Sequence, residues 1–95
     1  MVLFYFISFD CEEKREAELQ KLIAEAVEWM KTQEDLIHCY HRMYKICSGI
    51  SREYEMVLSI NDWSVLDRFD ETAKSYIQQF CELTKNRMIV IGKLM

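Results

Sequence analysis

Residues 1–9 read MVLFYFISF, and this apolar stretch decides the fold. Side chains of an extended strand alternate between the two faces of a sheet. Both sets are apolar in this strand. One set comprises Val2, Phe4 and Phe6, and the other comprises Leu3, Tyr5, Ile7 and Phe9. Because one layer of helices covers only one face of a sheet, the other face needs a second cover, and we expect a second copy of the chain to supply it.

The composition is that of a packed single domain. The chain has 95 residues, of which 51% are hydrophobic and 29% are charged, so it has enough apolar surface to offset the entropy cost of ordering. A chain of this length buries only about two-thirds of the surface that its unfolded form exposes. We therefore expect one domain, residues 1–95, that gains further burial by forming a homodimer.

Charge and hydropathy exclude two classes of partner. The net charge of −4 and the absence of a basic stripe argue against nucleic-acid binding, which depends on Lys and Arg. No apolar run approaches the roughly 20 residues of a membrane span. The apolar start also lacks the basic region and the small-residue cleavage site of a signal peptide. We expect a cytoplasmic protein without nucleic-acid or membrane partners.

No metal or cofactor motif occurs in the sequence. The four cysteines form no C-x-x-C pair and are Cys11, Cys39, Cys47 and Cys81. This scatter indicates free thiols in a reducing compartment, and neither a zinc site nor a redox motif. With two glycines in the whole chain, a glycine-rich phosphate loop is excluded as well. We expect no metal and no cofactor.

Two amphipathic helices follow from apolar residues that recur at spacings of three and four. The first helix begins with Asp10 as N-cap and Glu13 three residues later, and it runs to about Thr32. Its apolar face comprises Leu19, Leu22, Ile23, Ala26, Val27 and Met30. The second helix begins at Asn61 or Asp62, and Asn86 ends it in a left-handed conformation. Its apolar face comprises Leu66, Phe69, Ala73, Ile77, Phe80 and either Leu83 or Thr84.

Three further strands complete the order β-α-β-β-α-β. Residues 35–47 and 53–60 predict a hairpin around a turn at residues 48–52, and residues 88–95 predict the last strand. Two strand-helix-strand units with right-handed crossovers interleave into a four-stranded antiparallel sheet with both helices on one face, the ferredoxin-like α+β fold. A parallel α/β sheet would need a helix between the middle strands, and the turn leaves no room for one.

The alternation along each strand assigns residues to the two faces. On the third strand we expect the helices to cover Tyr54, Met56, Leu58 and Ile60. The opposite face, called here the second face, then carries Glu55, Val57 and Ser59 together with Phe4, Phe6 and Ser8. On the second strand, Ile37, Cys39 and Met43 are assigned to the helix side, and His38, Tyr40, Arg42 and Tyr44 to the second face. A bulge would shift this last assignment.

Residues 54–69, YEMVLSINDWSVLDRF, carry a family resemblance. A strand that ends in an acidic residue and Trp, followed by a short helix with a Leu, resembles the antibiotic-biosynthesis monooxygenase-like proteins of the dimeric α/β-barrel superfamily. The resemblance covers nearly the whole chain and implies a homodimer in which two sheets close back to back into a barrel. Some members oxidise aromatic substrates without metal or flavin, whereas others degrade haem or have no known activity.

The sequence departs from that family in the second helix. Many members have a His there, a few residues beyond the Trp, whereas this chain has Phe69 and no histidine after His41. This difference favours a homodimeric binding or regulatory module for a small apolar or aromatic ligand. The alternatives are a cofactor-independent monooxygenase or isomerase acting on an aromatic substrate in the barrel, and a module that binds effectors at a dimer edge.

His38 is the candidate catalytic residue, as a proton acceptor inside the barrel. The candidate ligand-binding residues are Phe4, Phe6, Tyr40, Arg42, Tyr44 and Trp63. A spacing of three sends His38 and His41 to opposite faces of a regular strand, so the pair is a poor metal site. A purely structural role is the alternative for both histidines and for Trp63. Trp29 lies off the apolar face of the first helix and is expected at the cavity rim or against a neighbour.

Overall fold

A computed structural model describes residues 3–93 of the chain, apart from residues 36, 47–51, 62, 63 and 65. For residues 37–42, 44 and 66 it describes the backbone alone. Most of the predicted turn at residues 48–52 therefore lies outside the described residues. Trp63 lies outside them as well.

The described elements follow the predicted order, with one helix divided into two. They are β1 (Leu3–Asp10), a 3-10 helix (Glu13–Arg15), α1 (Glu16–Met30), β2 (Ile37–Lys45), β3 (Tyr54–Ile60), α2 (Leu66–Thr72), α3 (Lys74–Leu83) and β4 (Lys85–Lys93). The strands form a four-stranded sheet in the order β2-β3-β1-β4. All three neighbouring pairs are antiparallel, and β1 lies in the interior of the sheet between β3 and β4.

The core lies between the sheet and the helices. The face assignment of the third strand is correct, because Tyr54, Met56, Leu58 and Ile60 are all buried. From β1, Phe9 is fully buried, and its ring stacks on that of Tyr54 at 5.4 Å and meets Phe80 edge-on at 4.9 Å. From α1, the apolar face buries Leu19, Leu22, Ile23 and Ala26. Each large apolar side chain buried in this way stabilises the fold by about 1.5–3 kcal/mol.

The second predicted helix is divided at Ala73, whose ψ angle of 4° departs from helical values. Hydrogen bonds nevertheless continue across the division: the Ala73 amide donates to the Phe69 carbonyl at 2.8 Å, and the Ile77 amide donates to the Ala73 carbonyl at 2.9 Å. Phe69 and Ala73 are both buried. The apolar face of the two helices therefore keeps covering the sheet across the division.

Asp10 does not cap the first helix, so that prediction was wrong. It is the last residue of β1, and its carboxylate accepts hydrogen bonds from the Glu53 amide at 3.0 Å and the Asn86 side-chain amide at 2.8 Å. Helix α1 instead follows the 3-10 helix, and no side-chain capping hydrogen bond is present at its N-cap, Arg15. Asn86 has the predicted left-handed conformation, with φ of 55°, but it lies in β4 and not at the helix end.

Strand β2 does not keep one uninterrupted register with β3. The pairing shifts between Ile37 and Cys39 and again between Tyr40 and Arg42. The first shift leaves His38 without an opposite residue on β3, and the second leaves His41 without one. The regular alternation on which the face assignment of this strand depended is therefore broken twice, as bulges do.

Candidate ligand-binding cavity

A cavity of about 400 Å³ lies between the sheet and the helices. Its apolar walls come from β1, β3 and β4 on one side and from all three α-helices on the other. They comprise Tyr5, Ile7, Leu22, Ile23, Ala26, Trp29, Met30, Met56, Leu58, Phe69, Ala73, Tyr76, Ile77, Phe80 and Ile89. Ile77 is 37% exposed and Ile89 is 56% exposed. These two residues therefore place an apolar opening between α3 and β4.

Small residues on two helices help to leave this space open. Ala26 of α1 and Ala73, between α2 and α3, are both buried and both line the cavity. Protein interiors are otherwise packed about as densely as organic crystals, so a methyl side chain at a core position leaves volume that a leucine would fill. Because side chains alternate along β1, Tyr5 and Ile7 both point from the sheet into this space.

Aromatic rings form much of the wall. The rings of Trp29 and Tyr76 lie 5.2 Å apart with a tilt of 40°, and those of Tyr5 and Phe69 lie 6.0 Å apart with a tilt of 41°. Centroid separations of 4.5–7 Å are those of favourable aromatic pairs. Trp29 belongs to this wall, which is a different cavity from the barrel interior at whose rim it was expected.

Tyr5 and Asp70 bring polar atoms into the apolar wall. Tyr5 is only 6% exposed, and its hydroxyl has no hydrogen-bond partner in the described part of the chain. Burial raises the pKa of the Tyr5 phenol, and the negative charge of Asp70 raises it further. Burial likewise raises the pKa of Asp70, and the neighbouring carboxylate of Asp67 adds to the rise.

Arg87 is the third polar residue of the wall, beside Cys81. Its guanidinium Nη1 donates to the carbonyl oxygens of Cys81 at 3.1 Å and Thr84 at 2.5 Å. These carbonyls belong to the C-terminal end of α3, where the helix dipole favours a positive charge. Arg87 therefore has a structural partner at the cavity edge.

Several solved structures are similar to this chain in fold. No protein-family model matches the sequence, and no curated protein matches it either. Among solved structures, a conserved protein from Methanosarcina mazei Go1 is similar over 100% of this chain and 94% of its own, with 17% identity and a TM-score of 0.81. An antibiotic biosynthesis monooxygenase is similar over 100% of this chain and 99% of its own, with 16% identity and a TM-score of 0.72.

A third structure is described as a dimeric protein of unknown function with a ferredoxin-like fold, from Bacteroides fragilis. It is similar over 98% of this chain and 96% of its own, with 9% identity and a TM-score of 0.73. The chain has the fold of the antibiotic biosynthesis monooxygenase-like proteins. The predicted ferredoxin-like α+β fold is thereby confirmed.

Within this monooxygenase-like fold, the described candidate residues lie on the second face, away from the cavity. Phe4 and Phe6 are stacked with ring centroids 6.5 Å apart, and neither lines the cavity. The second face also carries Val90, opposite Phe6, and Met88, opposite Ser8. Phe6, Met88 and Val90 are 38%, 43% and 51% exposed. The face therefore presents a contiguous apolar surface in the single chain.

The remaining predicted site residues stay untested in this monooxygenase-like fold. The side chains of His38, Tyr40, Arg42 and Tyr44 lie outside the described residues, as does Trp63. Sequence reasoning also missed Tyr5, Asp70 and Arg87 as cavity residues. Tyr5 alone carried a signal, since it is a residue with a hydroxyl in the otherwise apolar helix-facing set of β1.

The described residues contain neither a cluster of metal ligands nor a helix that could span a membrane. In the ranges that the structure describes, no three His, Cys, Asp or Glu side chains lie close enough together to hold a metal ion. Cys11 is a buried free thiol and Cys81 an exposed one. None of the helices in those ranges has the length and apolar character needed to cross a membrane.

Proposed function

We propose that this protein is a homodimeric binding module whose cavity between helices and sheet takes a small apolar or aromatic ligand. The observation that carries the proposal is the cavity itself. Its volume of about 400 Å³ lies within the usual range of ligand pockets, about 300–1,000 Å³. Apolar and aromatic walls with a few polar groups are also typical of such pockets.

The exposed apolar walls of the cavity support this function. An apolar cavity that opens to solvent leaves its walls in contact with water, and covering apolar surface contributes about 25 cal/mol per Å². A chain of 95 residues has little stability to spare. A ligand that fills part of the space would therefore stabilise the fold as well as bind to it.

The second face supports the dimer. Phe6 and Val90 lie opposite each other at its centre, and Val57 pairs with Phe6 from the other side. Covering such side chains contributes about 1.5–3 kcal/mol for each one that becomes fully buried. A second copy of the chain has the same apolar face to offer, and two such sheets back to back make the α/β barrel. The dimeric ferredoxin-like neighbour is consistent with this arrangement.

Catalysis is the second candidate function, and the monooxygenase among the structural neighbours favours it. In this version the protein is a cofactor-independent monooxygenase or isomerase for an aromatic substrate, with His38 as proton acceptor. His38 lies at a register shift of β2, where bulges often redirect side chains next to active sites. Oxygen uptake on addition of a hydroxynaphthalene, lost in His38→Ala, would favour this function over simple binding.

A cavity-filling variant tests the binding function. Ala26 lines the cavity, whereas Ala24 on the same helix is exposed, so Ala26→Leu and Ala24→Leu form a matched pair. Isothermal titration calorimetry with naphthalene should show binding to the wild type and to Ala24→Leu, and affinity at least about tenfold weaker for Ala26→Leu. Native mass spectrometry of the purified protein would identify a ligand that co-purifies.

Two results would contradict the binding function. One is the absence of naphthalene binding to the wild type. The other is equal affinity in all three proteins, which would place binding outside the cavity.

A further inference from the structure

Asp70 is a negative charge without a counter-charge at the cavity wall. It is exposed, it follows the buried Phe69 in α2, and it forms no ion pair with any basic side chain that the structure describes. The charged neighbour that acts on it is Asp67, which is also negative. A ligand in the cavity therefore meets an uncompensated carboxylate.

Tyr5 presents an unused hydroxyl to the same space. The side chain is more than nine-tenths buried, and the described residues offer its hydroxyl no hydrogen-bond partner. A phenol hydroxyl both donates and accepts hydrogen bonds, so it can bond to a ligand that enters the cavity. The negative charge of Asp70 acts on this phenol. A donor group on the ligand that bonds to both residues would use the phenol oxygen of Tyr5 and the carboxylate of Asp70 together.

Arg87 does not balance this charge. Its guanidinium is held at the end of α3 by hydrogen bonds to the Cys81 and Thr84 carbonyl oxygens and to the Thr84 hydroxyl at 3.2 Å. The partial negative charge of that helix end already offsets part of the positive charge of Arg87. Of the two charged residues that line the cavity in the described part of the chain, Arg87 thus has partners at the end of α3, whereas Asp70 forms no ion pair.

We infer that the cavity selects an amine: a protonated ammonium group beside Asp70 and the Tyr5 hydroxyl, on an apolar or aromatic body that fills the rest. This inference rests on the proposed binding function and names its ligand class. An ammonium has three donors, and both a carboxylate and a phenol oxygen accept from it. The rings of Tyr5 and Phe69 favour a nearby cation as well. Burial first, and then a neighbouring negative charge, raises the pKa of both Tyr5 and Asp70, and no positive charge among the described residues lowers either.

Three naphthyl compounds of similar shape, an amine, an alcohol and a carboxylate, test whether the cavity prefers a positively charged ligand. We would measure the affinity of 1-naphthylmethylamine, 1-naphthylmethanol and 1-naphthylacetate by isothermal titration calorimetry at pH 7. The amine should bind about two- to fivefold more tightly than the alcohol, the size of effect that an exposed ion pair supplies. The acetate should bind most weakly, because Asp70 repels it.

Asp70→Asn and Asp67→Asn are the matched variants. Asp67 is an exposed carboxylate of the same helix that does not line the cavity. Asp70→Asn should remove the preference for the amine while affinity for the alcohol stays within about twofold. Asp67→Asn should keep the preference. The alcohol serves as a check on folding, because a misfolded variant would lose it too.

Failure of this inference can be told apart from failure of the binding function. If the alcohol or the acetate binds as tightly as the amine, the amine inference is overturned and the binding function stands. An amine preference that survives Asp70→Asn overturns the inference as well. If none of the three probes binds to the wild type, both are overturned.

Discussion

At the scale of single residues, Asp10 shows where local sequence rules end. An Asp followed three residues later by Glu predicts a helix N-cap, yet the carboxylate joins the ends of three strands. Its partners Glu53 and Asn86 lie 43 and 76 residues further along the chain, so no local pattern could have identified them. The left-handed conformation of Asn86 was predictable because it is a property of the residue type.

The hydrogen bonds of Asp10 make stability depend on pH. The Asn86 hydrogen bond, and then the Glu53 amide, hold the pKa of Asp10 below its ordinary value. A carboxyl group with a lowered pKa in the folded state stabilises the fold above its unfolded pKa of about 3.9. That contribution is lost as the pH falls through the folded pKa.

The change Asp10→Ala should therefore lower the free energy of unfolding at pH 7, and the difference from wild type should shrink as the pH falls below about 4. Urea denaturation followed by circular dichroism at pH 7 and at pH 3 measures both values. A difference of the same size at the two pH values would show that the charge of Asp10 contributes nothing.

At the scale of elements, the predictions succeeded where the spacing of apolar residues along a strand or helix is regular throughout. Strands β1 and β3 alternate regularly, so the helix-facing sets were assigned correctly from the sequence. The division at Ala73 was not visible, because the spacing of four from Phe69 to Ala73 to Ile77 continues across it. The two shifts in β2 depend on its pairing with β3, which the sequence of β2 alone does not specify.

The cavity was missed for a related reason. Sequence reasoning looked for a ligand site on the second face, because that face lacked a cover. The space beside Ala26 and Ala73 depends on how far the helices stand from the sheet, which is a property of the packed structure. Trp29 was expected at the rim of the barrel or against a neighbour, so its place in this wall was not predicted.

Helix α1 should depend on its buried face for stability. Leu19 is 0% exposed, and the adjacent Gln20 is exposed, so Leu19→Ala and Gln20→Ala compare a core position with a surface position. Leu19→Ala should lower the free energy of unfolding by about 2–5 kcal/mol, because it loses apolar burial and leaves a cavity. Gln20→Ala should stay within about 0.5 kcal/mol of wild type. Equal effects in urea denaturation would mean that α1 does not pack as described.

At the scale of the whole molecule, the sheet has apolar residues on both faces and helices on one. The covered face holds the core and the cavity, and the second face exposes Phe6, Met88 and Val90. Contiguous apolar patches beyond a few hundred Å² are uncommon on soluble monomers. The opening sequence predicted this imbalance, because both alternating sets of β1 are apolar. The account as a whole therefore depends on a second chain that covers the free face.

Phe6→Asp tests this dependence with little effect on the helix-facing core. The substitution places a charge at the centre of the proposed subunit contact, where burial without a partner is costly. We expect monomer or aggregate in place of dimer. Ala24→Asp, at an exposed position of α1, introduces the same charge away from the contact and should leave the dimer intact.

Sedimentation equilibrium of the wild type beside Phe6→Asp is the most direct measurement of the central claim. The account predicts a wild-type particle of twice the chain mass of 11.5 kDa, and loss of that particle in Phe6→Asp. A stable wild-type monomer at micromolar concentration, or a Phe6→Asp dimer as stable as the wild type, would contradict it.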